Sequence, residues 1–269
     1  SFRQRGFISD EMYYRIIDEN ARHTWHLMLY FQGEPFLHPS LNDFISYAVK
    51  KRIYTVTSTN GHYINHEMAG RIVTSGLHEI IVSMDGATQE SYRKYRKNGS
   101  LSRVIAAIDY LQEWKRKMHR VYPLVHLQFL VFSHNEHEME AMRSFSRMYH
   151  IDKLTFKSAQ INSPANIRNM LPENPKYRRY QNPKGNIQEK KLKNQCKRLW
   201  TAPVITYNGL VLPCCFDKHA RHAFGNIAGE PLQNLWQSPQ FHAFRKMLLT
   251  NRKKIPMCNN CTQGIKVKW

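Results

Sequence analysis

The residues with the most distinctive chemistry are five cysteines, all after residue 195. Cys196 is followed by twelve residues, Gly209, four residues and Cys214, and a CNNC pair, Cys258 and Cys261, comes near the end. PVITYNGLVLPCC reads as a hairpin, two β-rich runs around the strong turn signal Asn208–Gly209. That hairpin brings Cys214 back towards Cys196, and CNNC adds a close pair of thiolates. Four thiolates can hold zinc or an iron–sulfur cluster, and spacing does not separate the two. An odd count is a poor disulfide framework for a chain of this size. Cys215 is left over and reads as a buried thiol.

A second set of candidates stands where apolar runs stop. HLMLYF (26–31) reads as a buried strand ended by Gln32-Gly33-Glu34-Pro35. Gly33 allows a turn or close ligand approach, and Pro35 cannot donate to a ladder. Pro39 then opens a helix with Leu41, Phe44, Ile45 and Ala48 on one face. Ser58-Thr59-Asn60-Gly61 ends the next strand, and Ser83-Met84-Asp85-Gly86 the third. Any one of these is compatible with an ordinary loop and a solvated side chain. Together they favour a rim of hydroxyl, amide and carboxylate groups at the C-terminal ends of parallel strands, where α/β folds bind ligands. Such a rim suits a ribose-bearing ligand with an amino-acid end.

The elements that must position these groups alternate. Strands are expected near His26–Phe31, Tyr54–Ser58, Glu79–Met84, Leu124–Phe132 and Lys153–Lys157, with helices between them. Ser9 can cap the first helix, and Gly76 can end the one from about Asn65 to Ser75. Leu101, Val104, Ile105, Ile108 and Leu111 share a face of a third, and Met139, Met142 and Phe145 of a fourth. This α/β alternation implies a parallel sheet with right-handed crossovers. The expected organisation is a barrel domain over 1–160, a basic Pro- and Asn-rich linker over 161–195 and a cysteine-rich domain over 196–269. A further strand is expected upstream of Ser1, because the first helix has none before it.

The chain has 269 residues and a net charge of +20. Such a surface favours anionic partners. The excess gathers between Asn166 and Arg198, at Lys115, Arg116, Lys117 and Arg120, and at Arg252, Lys253 and Lys254. These runs read as linker and solvated helix ends, since no nucleic-acid-binding motif accompanies them. No apolar run approaches the length of a membrane span. No signal-peptide pattern opens the chain, so a cytoplasmic protein is expected.

QGEP (32–35), STNG (58–61), SMDG (83–86) and YRKYRKNGS (92–100) combine with the Cys196–Gly209–Cys214 unit, GNI (225–227), LW (235–236), FHAFR (241–245) and CNNC. In that combination the chain resembles a radical S-adenosylmethionine (radical SAM) enzyme with a C-terminal SPASM or Twitch-type auxiliary domain. The resemblance implies a partial (β/α)6 TIM-like barrel. It implies that Gly33, Glu34 and Pro35 hold the methionine amino group. Ser58, Asn60, Ser83 and Asp85 would meet the ribose or methionine end. Arg96 would pair with the methionine carboxylate, for which a guanidinium fork is well shaped, a solvated charge being its other reading. Asn135 and Glu138 match a family pattern, and also fit a helix cap and a surface carboxylate. Cys196, Cys214, Cys258 and Cys261 would hold one auxiliary 4Fe–4S cluster. The family's CxxxCxxC motif has no counterpart here and is expected upstream, where its cluster would cleave S-adenosylmethionine to a 5′-deoxyadenosyl radical. The implied partners are a peptide, protein or small-molecule substrate and an electron donor such as flavodoxin or ferredoxin. The charge keeps a nucleic-acid-modifying radical enzyme as an alternative, a non-catalytic relative with a structural metal site is another, and no membrane partner is expected.

Overall fold

The structure is a computed structural model that describes residues 6–159, 170–178, 193–259 and 261. Most of the expected linker, 161–169 and 179–192, lies outside the described residues.

The described chain forms two compact units, residues 23–188 and residues up to 22 together with those from 189 onward. The larger holds five parallel strands in sequence order: β1 (His26–Met28), β2 (Tyr54–Thr59), β3 (Glu79–Ser83), β4 (Leu124–Val131) and β5 (Lys153–Ser158). Helices α2 (Leu41–Lys50), α3 (His66–Thr74), α4 (Gln89–Tyr95), α5 (Leu101–Lys117) and α6 (Met139–Met148) connect them, and α1 (Asp10–Asn20) precedes β1. The α/β parallel sheet read from the sequence is thus present. Strand β1 stops at Met28, earlier than the apolar run suggests, although Leu29 N still donates to Val56 O at 2.8 Å. Pro39 lies two residues ahead of α2, which Ser40 precedes.

Period-two alternation decides the two faces of the sheet. Ile80, Val82, Val125, Leu127, Phe129 and Val131 point to the helices and pack with Ile45, Ile72, Val104 and Ile108, all buried. The register pairs Ser58 with Ile81 and Ser83 with Gln128, so these residues share the opposite face. The helix caps are those the sequence offers: Ser9 Oγ accepts from Met12 N at 3.2 Å, and Gly76 follows α3 at φ +81°.

The smaller unit is built on an antiparallel pair, β6 (Val204–Ile205) and β7 (Val211–Leu212), turning through Asn208–Gly209 as the sequence indicates. Gly209 N donates to Thr206 O at 2.9 Å, and Asn226 Nδ2 to Asn208 O at 2.8 Å. GNI is therefore a brace for the turn. Helix α1 belongs to this unit: Met12 and Ile16 pack on Val211, Ile227 and Leu235, and Arg15 Nη2 donates to Ile227 O at 2.6 Å. The expected barrel domain over 1–160 includes α1, whose apolar stripe packs into this small core. Helix α7 (Pro239–Asn251) packs Phe241, Phe244 and Leu248 with Leu199 and Ile255. The FHAFR arginine, Arg245, lies 3.9 Å from the Phe241 ring centroid and donates to Leu199 O and Trp236 O.

Two basic residues read as solvated are buried. Lys115 pairs with Asp152 at 2.9 Å, and Arg252 is only 2% exposed. Among the described residues no helix is long and apolar enough to cross a membrane.

Ile80 is fully buried in a central strand. Ile80→Ala should cost about 2–5 kcal/mol, the usual toll of a core cavity. It should lower the urea midpoint with an unchanged slope.

Candidate functional site

The rim is built from carboxylates that accept backbone N–H groups. Glu34 caps the short turn Pro35–Leu37, with Oε1 accepting from Phe36 N at 3.3 Å. Oε1 also accepts from Thr59 Oγ1 at 2.9 Å, and Oε2 from Asn60 N at 2.8 Å. The loop after β1 is thereby pinned to the end of β2. A carboxylate offers about four lone-pair sites, so Oε2 keeps capacity for one more donor. Burial pushes the Glu34 pKa above the usual carboxylate range, against the pull of the Asn60, Thr59 and Phe36 hydrogen bonds. Gly33 takes φ +86° with open space where a Cβ would stand. Asn60 Oδ1 accepts from His62 N at 2.9 Å, and His62 Nε2 from Ser100 N at 2.8 Å. This joins the STNG and YRKNGS loops.

Asp85 does the same work one strand further on. It is fully buried, its Oδ1 accepting from Leu130 N at 2.7 Å and its Oδ2 from Arg96 Nε at 2.6 Å. Burial pushes its pKa up, while Arg96 and the Leu130 N–H pull it down. Arg96 ends α4 and is held on its Nε edge alone. Its Nη groups have no hydrogen bond to a described residue. Asn135 is fully buried and wraps the end of β4, accepting from Phe132 N and donating to Asp85 O and Leu130 O. Glu138 is 7% exposed, and accepts from Ala87 N at 2.9 Å, Thr88 Oγ1 at 3.1 Å and Ser91 Oγ at 2.6 Å. It is a buried brace rather than a surface carboxylate. Gly86 is required here, because a Cβ would come within 2.4 Å of Tyr92 N.

The face away from the helices carries Ser58 and the buried Ser83, with Gln128 beside Ser83 in register. Lys157 donates to Gln128 Oε1 at 2.5 Å. The sequence places Thr59 in the rim without a role of its own, and does not single out His62, Gln128 or Lys157. Gln128 was visible as a polar interruption of an apolar strand, two residues after His126.

In the smaller unit none of the five cysteines forms a disulfide; Cys214, Cys258 and Cys261 are buried and Cys196 is half-buried. Burial pushes the Cys214 and Cys258 thiols up to about 12, and neighbouring thiols add to it: Cys258 and Cys261 for Cys214, Cys261 and Cys196 for Cys258. Three of the four candidate ligands are thus desolvated, with Cys196 close enough to Cys258 to act on it. Among the described residues no three His, Cys, Asp or Glu side chains converge to hold a single metal ion. Each thiolate of a four-iron cluster binds a different iron, so its ligands need not converge on one point. The all-sulfur donor set fits such a cluster.

The described residues thus combine a parallel α/β sheet that has a polar rim at its C-terminal strand ends with a smaller unit that carries the cysteines. Residues 1–145 match the radical SAM superfamily and residues 196–262 the SPASM iron–sulfur cluster-binding domain, and the chain belongs to that superfamily. S-adenosylmethionine and 4Fe–4S clusters are the cofactors of these domains. Mycofactocin maturase MftC of Mycobacterium ulcerans (strain Agy99) is 32% identical over 109 residues, 40% of this chain and 30% of that protein. The chain therefore matches under a third of the length of that relative. The fold is shared with native anSMEcpe with bound AdoMet and Kp18Cys peptide, at TM-score 0.63 and 17% identity over 99% of this chain and 85% of that one. BtrN in complex with AdoMet and 2-DOIA gives TM-score 0.56 and 18% identity over 98% and 83%.

Asn135→Ala strips partners from three main-chain groups at once. Each buried unsatisfied group costs about 1–3 kcal/mol, so a fall of at least that size is expected in a urea melt.

Proposed function

We propose that the chain supplies the S-adenosylmethionine rim and one auxiliary cluster of a radical enzyme that modifies a peptide. The observation that carries the reading is Arg96: its Nε is fixed by a buried carboxylate while its Nη groups have no described protein acceptor. That fork is shaped for a carboxylate such as the methionine end of the cofactor. Gly33, Glu34 and Pro35 would receive the amino group, with Oε2 of Glu34 as its acceptor. Asn60 and Ser58 would face the ribose or the methionine. Asp85 is too buried to touch a ligand and acts by orienting Arg96. Ser83 lies beside Ser58 on the same sheet face but is buried within it, which suits a supporting place under the rim.

When bound, the iron–sulfur and S-adenosylmethionine pair supplies a one-electron cleavage that leads to hydrogen abstraction from a substrate. The chain's own share is to bind, orient and exclude water. Cys196, Cys214, Cys258 and Cys261 would hold the auxiliary cluster, with electron transfer as its role. The peptide class rests on the maturase relative.

Calorimetry of S-adenosylmethionine binding tests this on the full-length protein. Glu34→Ala should weaken binding roughly 10- to 100-fold, the worth of a hydrogen bond to a charged group, about 1.5–3 kcal/mol. Iron at the four cysteines should be unchanged. Parallel loss of iron would make Glu34 purely structural. The pH dependence has a definite sign. The Glu34 pKa is raised, so its neutral form gains as pH falls, whereas an ammonium ligand needs the carboxylate. Affinity should therefore rise with pH through the Glu34 pKa, and Glu34→Gln should flatten that rise.

A further inference from the structure

Arg252 follows α7 and is 2% exposed. Its guanidinium is spent entirely on main-chain carbonyls. Nε donates to Cys258 O at 2.8 Å, Nη1 to Gln195 O at 2.8 Å and Nη2 to Cys261 O. Gln195 directly precedes Cys196. One side chain thus grips the backbone at or beside three of the four candidate cluster ligands. The grip is itself braced: Arg252 N donates to Asn194 Oδ1 at 3.1 Å, and Asn194 Nδ2 to Thr250 O at 2.8 Å.

Among the described residues no carboxylate stands at ion-pair distance from Arg252. Carbonyl dipoles solvate a guanidinium but do not neutralise it, and a buried charge without a counter-charge is strongly unfavourable. The groups that could become anionic nearby are the cysteines whose backbone it holds. As thiols they are neutral. As ligands of a four-iron cluster they form part of a net anion, which gains one further negative charge on one-electron reduction.

We infer that Arg252 is a positioning residue for the auxiliary cluster: it holds the Gln195, Cys258 and Cys261 backbone in one arrangement and supplies the permanent buried cation that favours the reduced cluster. The inference rests on the cluster assignment made under Proposed function. Lysine cannot replace the fork, because an ammonium is a point charge and cannot span three carbonyls in one plane. It does keep the charge, so the two parts of the role separate.

The test uses the full chain loaded anaerobically with iron and sulfide, a redox titration followed by electron paramagnetic resonance, and bleaching by a chelator. Arg252→Met should lower the reduced-to-oxidised ratio at fixed potential at least tenfold, about 59 mV for a one-electron couple. It should also bleach severalfold faster. Arg252→Lys should stay within threefold of the wild-type ratio yet bleach faster than wild type. A Met variant with the wild-type midpoint overturns the inference. Should the Met variant fail to load, the Lys variant decides: wild-type bleaching overturns the inference, and faster bleaching at an unshifted midpoint supports it. A wild-type chain that takes up no four-iron cluster removes both the cluster assignment and this inference. A loaded wild-type chain with failed Arg252 comparisons removes this inference alone.

Discussion

The rim depends on one interaction repeated: a buried or half-buried carboxylate accepting a backbone N–H from a neighbouring strand end. Glu34 takes Asn60, Asp85 takes Leu130, and Glu138 takes Ala87. Strand ends leave main-chain donors without ladder partners, and buried donors must find one. Charged acceptors make these bonds about twice as strong as neutral ones. The consequence reaches beyond stability. Once the carboxylates are committed to the chain, Arg96 is fixed from behind on its Nε edge. The rim's geometry is thus set by the chain's own hydrogen bonds, which lowers the ordering cost that a ligand would meet.

The smaller unit solves a different problem. Among the described residues its apolar side chains gather in two small groups, one around Val211 and Ile227 and one around Phe241 and Leu248. Arg245 and Arg252 run between backbone segments that the side chains alone would not hold. Ligand bonds to the proposed cluster would cross-link these segments, and their energy would then become folding energy.

Much of this was legible in the sequence, because local rules and global fold agree. The parallel strands follow from the alternation of apolar runs and helical stripes, and the Asn208–Gly209 turn, the Ser9 cap and the Gly76 stop each follow from one or two residues. What was not legible was which polar groups face inward on one another. Asp85 and Glu138 look like ligand or surface carboxylates in a linear string. Only the pairing of β3 with β4 shows that each is used up by the neighbouring loop. Arg252 sits in an RKK run that reads as solvent-facing, and nothing local distinguishes it from Lys253 and Lys254, which are exposed. The place of α1 was hidden for the same reason. Its apolar stripe announces a buried face but not which core receives it.

The central claim, a rim organised in advance by carboxylate–amide bonds, is tested most directly by hydrogen exchange without ligand. The Asn60, Leu130 and Ala87 amides should exchange at least tenfold slower than exposed loop amides such as that of Lys97, and S-adenosylmethionine should change them little. Exchange at the rate of the exposed loop, with protection appearing only when S-adenosylmethionine is added, would show that the ligand builds the rim and would contradict the account.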